Sequence, residues 1–477
     1  MTDKEKASGV GSIDETVFDA KLDRVWRRVD VYVLPVVAMF YLLSFLDRTN
    51  LGNARVAGLQ SDLKMNNYEY CVALTVTYVP YIVAELPSNL VLKAVGPNLM
   101  LPTMLTLWGV ITTLQGVVKS YQGLLACRFF LGLCEGGVFP GLVLYLSFWY
   151  PRRQLQSRIS AFFSTASLSG AFSGLLAYGI IRMDGVGRRP GWAWIFILEG
   201  LFTVLFGLSS FFTLPHSPAR ARFLTEEEKE YVVTRLRETG ATGLQDEADS
   251  FSWSEIWKAF TLPHVWMIAV AFFFDGTLIY ALGYFTPSIL SGLGYTNVDA
   301  QLYSVPPFAA AFVVSIVVSY LSDRYGARGI VSIFSGILAT IGFAMFYASQ
   351  NSHVKYGSLF MSITGAYNGA PALSTWNANN TAPYTRRATA IAIGFIMTNS
   401  GGILATWLLG TLSPAPLYTK ATLTLLIFSI LMAVFSAMNI VYLTSQNRKK
   451  AMIRATTARE DEAPGLGDCS AWFPYSL

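Results

Sequence analysis

Between Tyr121 and Tyr150 the chain runs for 30 residues with only two charges, Arg128 and Glu135, and apolar stretches of this kind recur along all 477 residues. Nothing else in the sequence restricts the fold as tightly. A bilayer core about 30 Å thick is crossed by roughly 20 apolar residues at about 1.5 Å rise per residue. Segments of that length fall at 31–51, 69–92, 99–118, 122–148, 158–181, 192–214, 263–287, 300–321, 329–349, 356–378, 388–411 and 421–444. A transmembrane barrel would instead show segments of about ten residues alternating apolar and polar, a pattern this sequence lacks. With 53% hydrophobic and 14% charged residues, the expectation is an all-α membrane protein of twelve transmembrane helices in two six-helix bundles.

Charge sets the expected orientation. If both termini are cytosolic, the cytosolic segments hold 25 of the 35 Lys and Arg residues and the outer loops eight, leaving Arg48 and Arg128 inside spans. That is the positive-inside pattern. The net charge of +5 therefore follows topology and calls for no nucleic-acid partner. The first 30 residues are charged and lack an apolar core, so no cleavable signal is expected and the first span directs insertion, with the plasma membrane as the expected location. Four cysteines form no secreted-type framework, and three scattered histidines build neither a metal cluster nor a Ser-His-Asp set. No disulfide, metal or cofactor is expected, and the chain is read as something other than an enzyme.

These features divide the chain into a cytosolic segment (1–30), a first bundle (31–214), a cytosolic linker (215–262), a second bundle (263–445) and a tail (446–477) whose polar composition predicts disorder. In the linker, Thr225 with Glu228 and Ser252 with Glu255 each fit a capping box, predicting two short helices.

The charges inside spans carry the functional argument. Arg128 and Glu135 are seven residues apart, nearly two helical turns, and so share one face. Facing lipid, either would cost at least about 2.5 kcal/mol, so both should look into the protein. Asp47 and Arg48, near the outer end of the first span, fall at a depth similar to Arg128, with Glu135 nearer the midplane. In the second span Tyr78, Tyr81, Glu85 and Ser88 form a polar stripe that either lines a pathway or hydrogen-bonds neighbouring helices. Asp275 is mid-span and is either a transport group or a helix-paired carboxyl; Asn399 is mid-span in the eleventh segment. The pairs Gly132 with Gly136, Gly137 with Gly141, and Gly170 with Gly174 read as close helix packing.

SYLSDRYGARG, between the eighth and ninth spans, resembles the cytosolic loop motif of the major facilitator superfamily, with Asp323, Arg324, Gly326 and Arg328 at the matching positions and Ser319 in place of a glycine. The equivalent loop after span two, NLVLKAVGPN, is a degenerate copy with Lys93 where an aspartate is usual. FLDRTNLGNA, LGLCEGGVFPG, YLSFWYPRRQLQSRIS and LPHSPARARFLTEEEKEY, in that order, resemble the anion:cation symporter branch, with wording similar to fungal allantoate, nicotinate and pantothenate permeases. The resemblance implies two bundles rocking around a central site. It also implies proton coupling at Asp47 and Glu135, and substrate binding at Arg48, Arg128 and Asn399, to which the second-span stripe adds Tyr78 and Tyr81. Glu85 and Asp275 remain cavity candidates, and Asp323, Arg324, Gly326 and Arg328 would form the gating loop.

Elementary chemistry is compatible with such a mechanism. A carboxylate against apolar walls can take up a proton, while arginine keeps its own and can hold an anionic substrate. An inside-negative potential helps a monovalent anion inward only if at least two protons accompany it. The expected partners are thus a small organic anion (a vitamin, ureide or sugar acid), protons and the lipid bilayer, acting on a single chain. Two other readings stay open: a non-transporting nutrient sensor on the same scaffold, and a facilitator of cationic or zwitterionic solutes that uses Asp47, Glu85, Glu135 and Asp275 to hold an amine.

Overall fold

The computed structural model describes residues 7–150, 158–159, 161–238, 253–413, 418–456, 462 and 466–477, and the regular elements among them are helices. In chain order the principal ones are α1 (Ala7–Val56), α2 (Asn67–Thr75), α3 (Tyr78–Val95), α4 (Pro97–Gln115), α5 (Tyr121–Glu135), α6 (Val138–Ser147), α7 (Thr165–Ile180) and α8 (Gly191–Thr213). The linker helices α9 (Glu226–Glu238) and α10 (Trp253–Thr261) follow, then α11 (Pro263–Gly292), α12 (Asn297–Tyr325), α13 (Arg328–Ala348), α14 (Ser352–Asn379), α15 (Tyr384–Trp407) and α16 (Thr419–Thr456).

Among the described residues, eight helices are long and apolar enough to cross a membrane: those containing α1, α7, α8, α11, α12, α13, α15 and α16. The other four expected spans are also helical but differ in character. The second and fourth are each split in two, at residues 76–77 and 136–137, beside Tyr78 and Glu135. The third (α4) carries four threonines, and the tenth (α14) is rich in Ser, Thr and Asn. Intramembrane breaks and polar helices survive only where protein, rather than lipid, surrounds them.

Local signals start several helices where the sequence places them. Ser120 caps α5 by accepting from the Gly123 N–H, and Asn66 with Glu69 forms a full capping box on α2. Thr225 and Glu228 make the box expected in the linker, with Oε2 of Glu228 accepting from the Thr225 N–H at 2.9 Å. Ser252, half of the second expected box, lies outside the described residues.

Helices before residue 214 pack mainly on one another, as α4 does on α8, and those after 263 do likewise, as in the α13–α14 and α11–α15 pairs; α7 on α12 and α1 on α11 join the two groups. Small residues permit these approaches. A Cβ on Gly52 would lie 2.3 Å from the Tyr284 carbonyl oxygen, and one on Gly170 would meet the Phe308 ring. Gly132 in α5 and Gly136 in the break after it act as expected of packing residues, lying against the backbone of Thr77 and Tyr81.

The tail departs from its expected disorder. Helix α16 runs on to Thr456, and residues 466–477 lie against the same end of the helices as α9 and α10, an end called proximal below, with distal for the opposite one. Trp376 Nε1 and Asn380 Nδ2 each donate to the Ser476 carbonyl at 2.9 Å, Asn447 pairs in both directions with the Tyr475 backbone at 2.8 Å, and the Arg328 N–H donates to the Leu477 carbonyl at 3.0 Å. Asp468, fully buried, accepts from Arg386, whose guanidinium also donates to Glu255 of α10 at 2.6 and 2.9 Å. Burial pushes the Asp468 carboxyl up while Arg386 pulls it back. Composition misses this docking because it rests on backbone carbonyls meeting buried side-chain donors. Asp468→Asn, which keeps the shape and removes the charge from a buried ionic hydrogen bond, should cost about 2 kcal/mol, seen as a lowered thermal-unfolding midpoint of the purified protein. An unchanged midpoint would mean that the tail does not brace this end.

Candidate functional site

A cavity of about 40 Å³, the space of a few water molecules, lies where the two groups of helices meet. Its polar centre is Arg48 on α1. Residues 41, 44 or 45, and 48 repeat at helical spacing, so Tyr41, Ser44, Phe45 and Arg48 present one face to the cavity. The Arg48 Nε and Nη2 both lie 2.9 Å from Glu135 Oε1, which also accepts from Ser44 Oγ. The third guanidinium nitrogen, Nη1, donates to the Tyr280 hydroxyl at 2.5 Å, and that hydroxyl donates onward to Asn399 Oδ1 at 3.2 Å. Arg48 thus joins α1 and α5 to α11 and α15. Its charged plane sits 5.0 Å over the Tyr81 ring and 5.4 Å over Phe45, contacts that favour a cation. Two polar atoms at this centre, Glu135 Oε2 and Asn399 Nδ2, are buried with no hydrogen-bond partner among the described residues.

The walls differ at the two ends. Distally, Tyr280 lines the cavity, and above it the Tyr78 and Tyr284 hydroxyls meet at 2.7 Å. Beyond them the seam is closed by Gly52 against Tyr284, Trp407 donating to Thr75 Oγ1 at 3.0 Å, and buried Cys71 packed on Gly410. Proximally, Phe139 and Phe395 meet at 4.2 Å between ring centres, with Phe163 and Phe272 beside Phe395. Tyrosine seals one end and phenylalanine the other.

The sequence-derived residues separate into two sets. Arg48, Glu135, Tyr81 and Asn399 come together at the cavity, with Tyr78 in its distal seal. Asp47, expected to couple protons, and Arg128, expected to bind substrate with Arg48, do not line this cavity. Successive residues of a helix point about 100° apart, so when Arg48 faces the cavity Asp47 turns into the first group of helices. There it accepts from Trp108 Nε1 and from Thr112 Oγ1, the latter at 3.0 Å. Arg128 is buried beside the Phe196 ring at 5.9 Å, with Nε and Nη2 lacking acceptors among the described residues.

Glu85 is half-buried on α3 off the wall, with Oε2 unpartnered among the described residues. Asp275 is wholly buried in the second group, packed on Gly369 of α14, and neither carboxyl oxygen has a donor among the described residues. In the loop motif Gly326 takes the left-handed φ of +63° that ends α12, Arg328 Nη1 donates to Ser322 Oγ at 3.0 Å and Arg324 is exposed; the Asp323 side chain lies outside the described residues. Sequence reasoning missed Ser44, Tyr280 and the phenylalanine floor. Only the spacing of Ser44 with Arg48, and of Tyr280 with Tyr284, carried any signal for them.

Residues 37–406 match the profile of the Major Facilitator Superfamily. The chain belongs to that superfamily. It is a multi-pass membrane transporter and not an enzyme. Among similar proteins, an uncharacterized transporter of Schizosaccharomyces pombe is 37% identical over 470 residues, covering 98% of this chain and 93% of that protein. The high-affinity nicotinic acid transporter of Saccharomyces cerevisiae is 33% identical, covering 95% and 84%. Among similar solved structures, a bacterial homologue of the human lysosomal transporter Spinster, inward-facing and unoccupied, superposes with a TM-score of 0.66 at 14% identity, covering 86% of this chain and 96% of that one. The xylose transporter of E. coli in a partially occluded inward-open conformation gives 0.65 at 14%, covering 85% and 98%. At these identities the structures speak for the fold alone.

Proposed function

We propose that this transporter imports a small organic anion of the carboxylate class together with protons. In this reading twelve spans form two six-helix bundles acting as a single chain in the plasma membrane. Both termini are cytosolic, so the distal end faces outward. The observation that carries the reading is the Arg48–Glu135 pair inside the cavity. Glu135 occupies, with its own carboxylate, the donors that a substrate carboxylate needs. Protonating Glu135 removes its charge, frees Arg48, and lets the anion take its place. Release reverses the exchange, so Arg48 always has a partner and an unpaired buried cation never has to form.

The aromatic walls favour a flat ring bearing a carboxylate over a polyhydroxylated acid, because the floor offers sugar hydroxyls no hydrogen bonds. The nicotinic acid transporter among the relatives supports nicotinate as the first compound to test. With the distal side closed, the anion leaves inward past the phenylalanine floor, and the Asp323–Arg328 loop, at the cytosolic end, governs the change between states rather than affinity.

The test is uptake of radiolabelled nicotinate into cells or proteoliposomes at two outer pH values, with and without a protonophore. Wild-type uptake should be stronger at the lower outer pH than at the higher one and should fall with the protonophore. Glu135→Gln mimics the protonated form, so its binding should stay tight and lose pH dependence while accumulation against a gradient falls at least about 10-fold, equivalent to about 1.4 kcal/mol. Unchanged proton-driven accumulation by the variant would remove Glu135 from the coupling role, and uptake indifferent to pH and protonophore in the wild type would remove proton coupling altogether.

A further inference from the structure

A second carboxylate cluster lies outside the cavity, inside the first group of helices. Asn50, fully buried on α1, directs its side-chain amide nitrogen at two carboxylates: Glu199 Oε2 on α8, and Asp47 Oδ1 at 3.4 Å. Glu199 is buried mid-way along an apolar helix, and its other oxygen, Oε1, has no donor among the described residues. Asp47 by contrast has donors from Trp108 and Thr112 of α4. From α7, Ser173 donates to Asn50 Oδ1 at 3.4 Å. The charged groups facing Asp47 are Arg128 and Glu135, both from α5, and Glu199; Glu199 faces Asp47. Arg128 also faces the hydroxyls of Tyr70 on α2 and Tyr284 on α11.

Two ionised carboxylates around one amide, in an apolar interior, would repel with little solvent to screen them. A single proton shared by the pair removes that cost, and Glu199 Oε1 has no donor to support a charge there. We propose that Glu199, Asn50 and Asp47 form a second proton-binding site, in which Asp47 keeps its charge on the donors of α4 and Glu199 carries a proton that exchanges during the transport cycle.

The position suits exchange with the outside. Asn50 lies two residues from Gly52, whose contact with Tyr284 closes the outer seam, and Arg128 faces both Tyr284 and Asp47. In the proposed cycle the state that parts α1 from α11 is the one in which these carboxylates exchange their proton with the outside. With Glu135 this gives two separate proton sites, the number a monovalent anion needs to draw on membrane potential. The inference rests on the proton-coupled reading given above.

Infrared difference spectroscopy on the purified protein in liposomes, titrated without substrate, tests it independently of transport. The wild type should show a protonated-carboxyl signal that titrates, kept in Glu135→Gln and lost in Glu199→Gln. Asp47→Asn, which leaves Glu199 without its charged neighbour, should move the midpoint of the Glu199 signal, and it serves also if Glu199→Gln folds poorly. A wild-type spectrum unchanged by Glu199→Gln, a signal that does not titrate, or a midpoint indifferent to Asp47→Asn would each overturn the proposal. Uptake of nicotinate that ignores pH, alongside a titrating Glu199 signal, would instead overturn the transport reading and leave the proton site standing.

Discussion

Arg48→Lys should weaken nicotinate binding about 100-fold, close to 3 kcal/mol, in a protein that still reaches the membrane. The size follows from geometry, since lysine keeps the charge. Arg48 turns Nε and Nη2 together toward a single carboxylate position and Nη1 toward Tyr280. An ammonium on a flexible stem reproduces neither the paired donors nor the flat stacking on Tyr81 and Phe45. Arg128→Lys is the internal comparison. Arg128 was expected at the substrate, but it lies behind the wall, so its replacement should change affinity less than about threefold while affecting the step that opens the outer seam. Binding measured by scintillation proximity on both purified variants decides between them. Equal losses, or an Arg48→Lys protein that binds normally, would overturn the assignment of Arg48 as the anion site.

The second large effect is expected at Gly52. Alanine there would place a Cβ 2.3 Å from the Tyr284 carbonyl oxygen, and the obstacle is helix backbone, which cannot rotate aside as a side chain can. Overpacking of this kind costs about 1–3 kcal/mol, and here the cost falls only on the state in which α1 and α11 touch. The equilibrium should therefore move toward the outward-open form by roughly 10- to 100-fold, and transport should stall for want of a closed partner state. Cys71 supplies a native probe, since it is fully buried behind the same seam, against Gly410. With Cys127, Cys134 and Cys469 replaced, an impermeant maleimide added outside should label Cys71 rapidly in Gly52→Ala and slowly in its parent. Equal labelling rates would show that this contact does not control the outer mouth.

The helices, and the burial of the first- and fourth-span charges inside the protein, were legible in the sequence because apolar length and intramembrane charge report directly on solvent. The direction in which each charge points was not. Asp47 and Arg48 are adjacent and read as one motif, yet helix geometry sends them to different neighbourhoods, one to an indole and a threonine of α4, the other to the cavity. Only the rotation of α1 decides which is which, and that rotation is set by its packing on α7, α8 and α11. Glu199 escaped notice for a related reason. A lone carboxylate in an apolar run acquires meaning only when a residue 149 positions away supplies the amide beside it. The tail misled through composition, since its docking depends on the backbone groups of residues 475–477, whose chemistry is the same for every sequence.

The Trp108 indole has a use that its packing role does not suggest. Its N–H donates to Asp47 Oδ2 from a ring wholly removed from solvent on α4. An indole bound in this way senses the electron density of its acceptor, so every change of charge at that oxygen is written into the magnetic shielding of the ring. Incorporating fluorotryptophan, and assigning the resonance by its disappearance in Trp108→Phe, would turn the residue into a spectator inside the membrane. It would report the state of the carboxylate in real time, whatever compound the transporter carries.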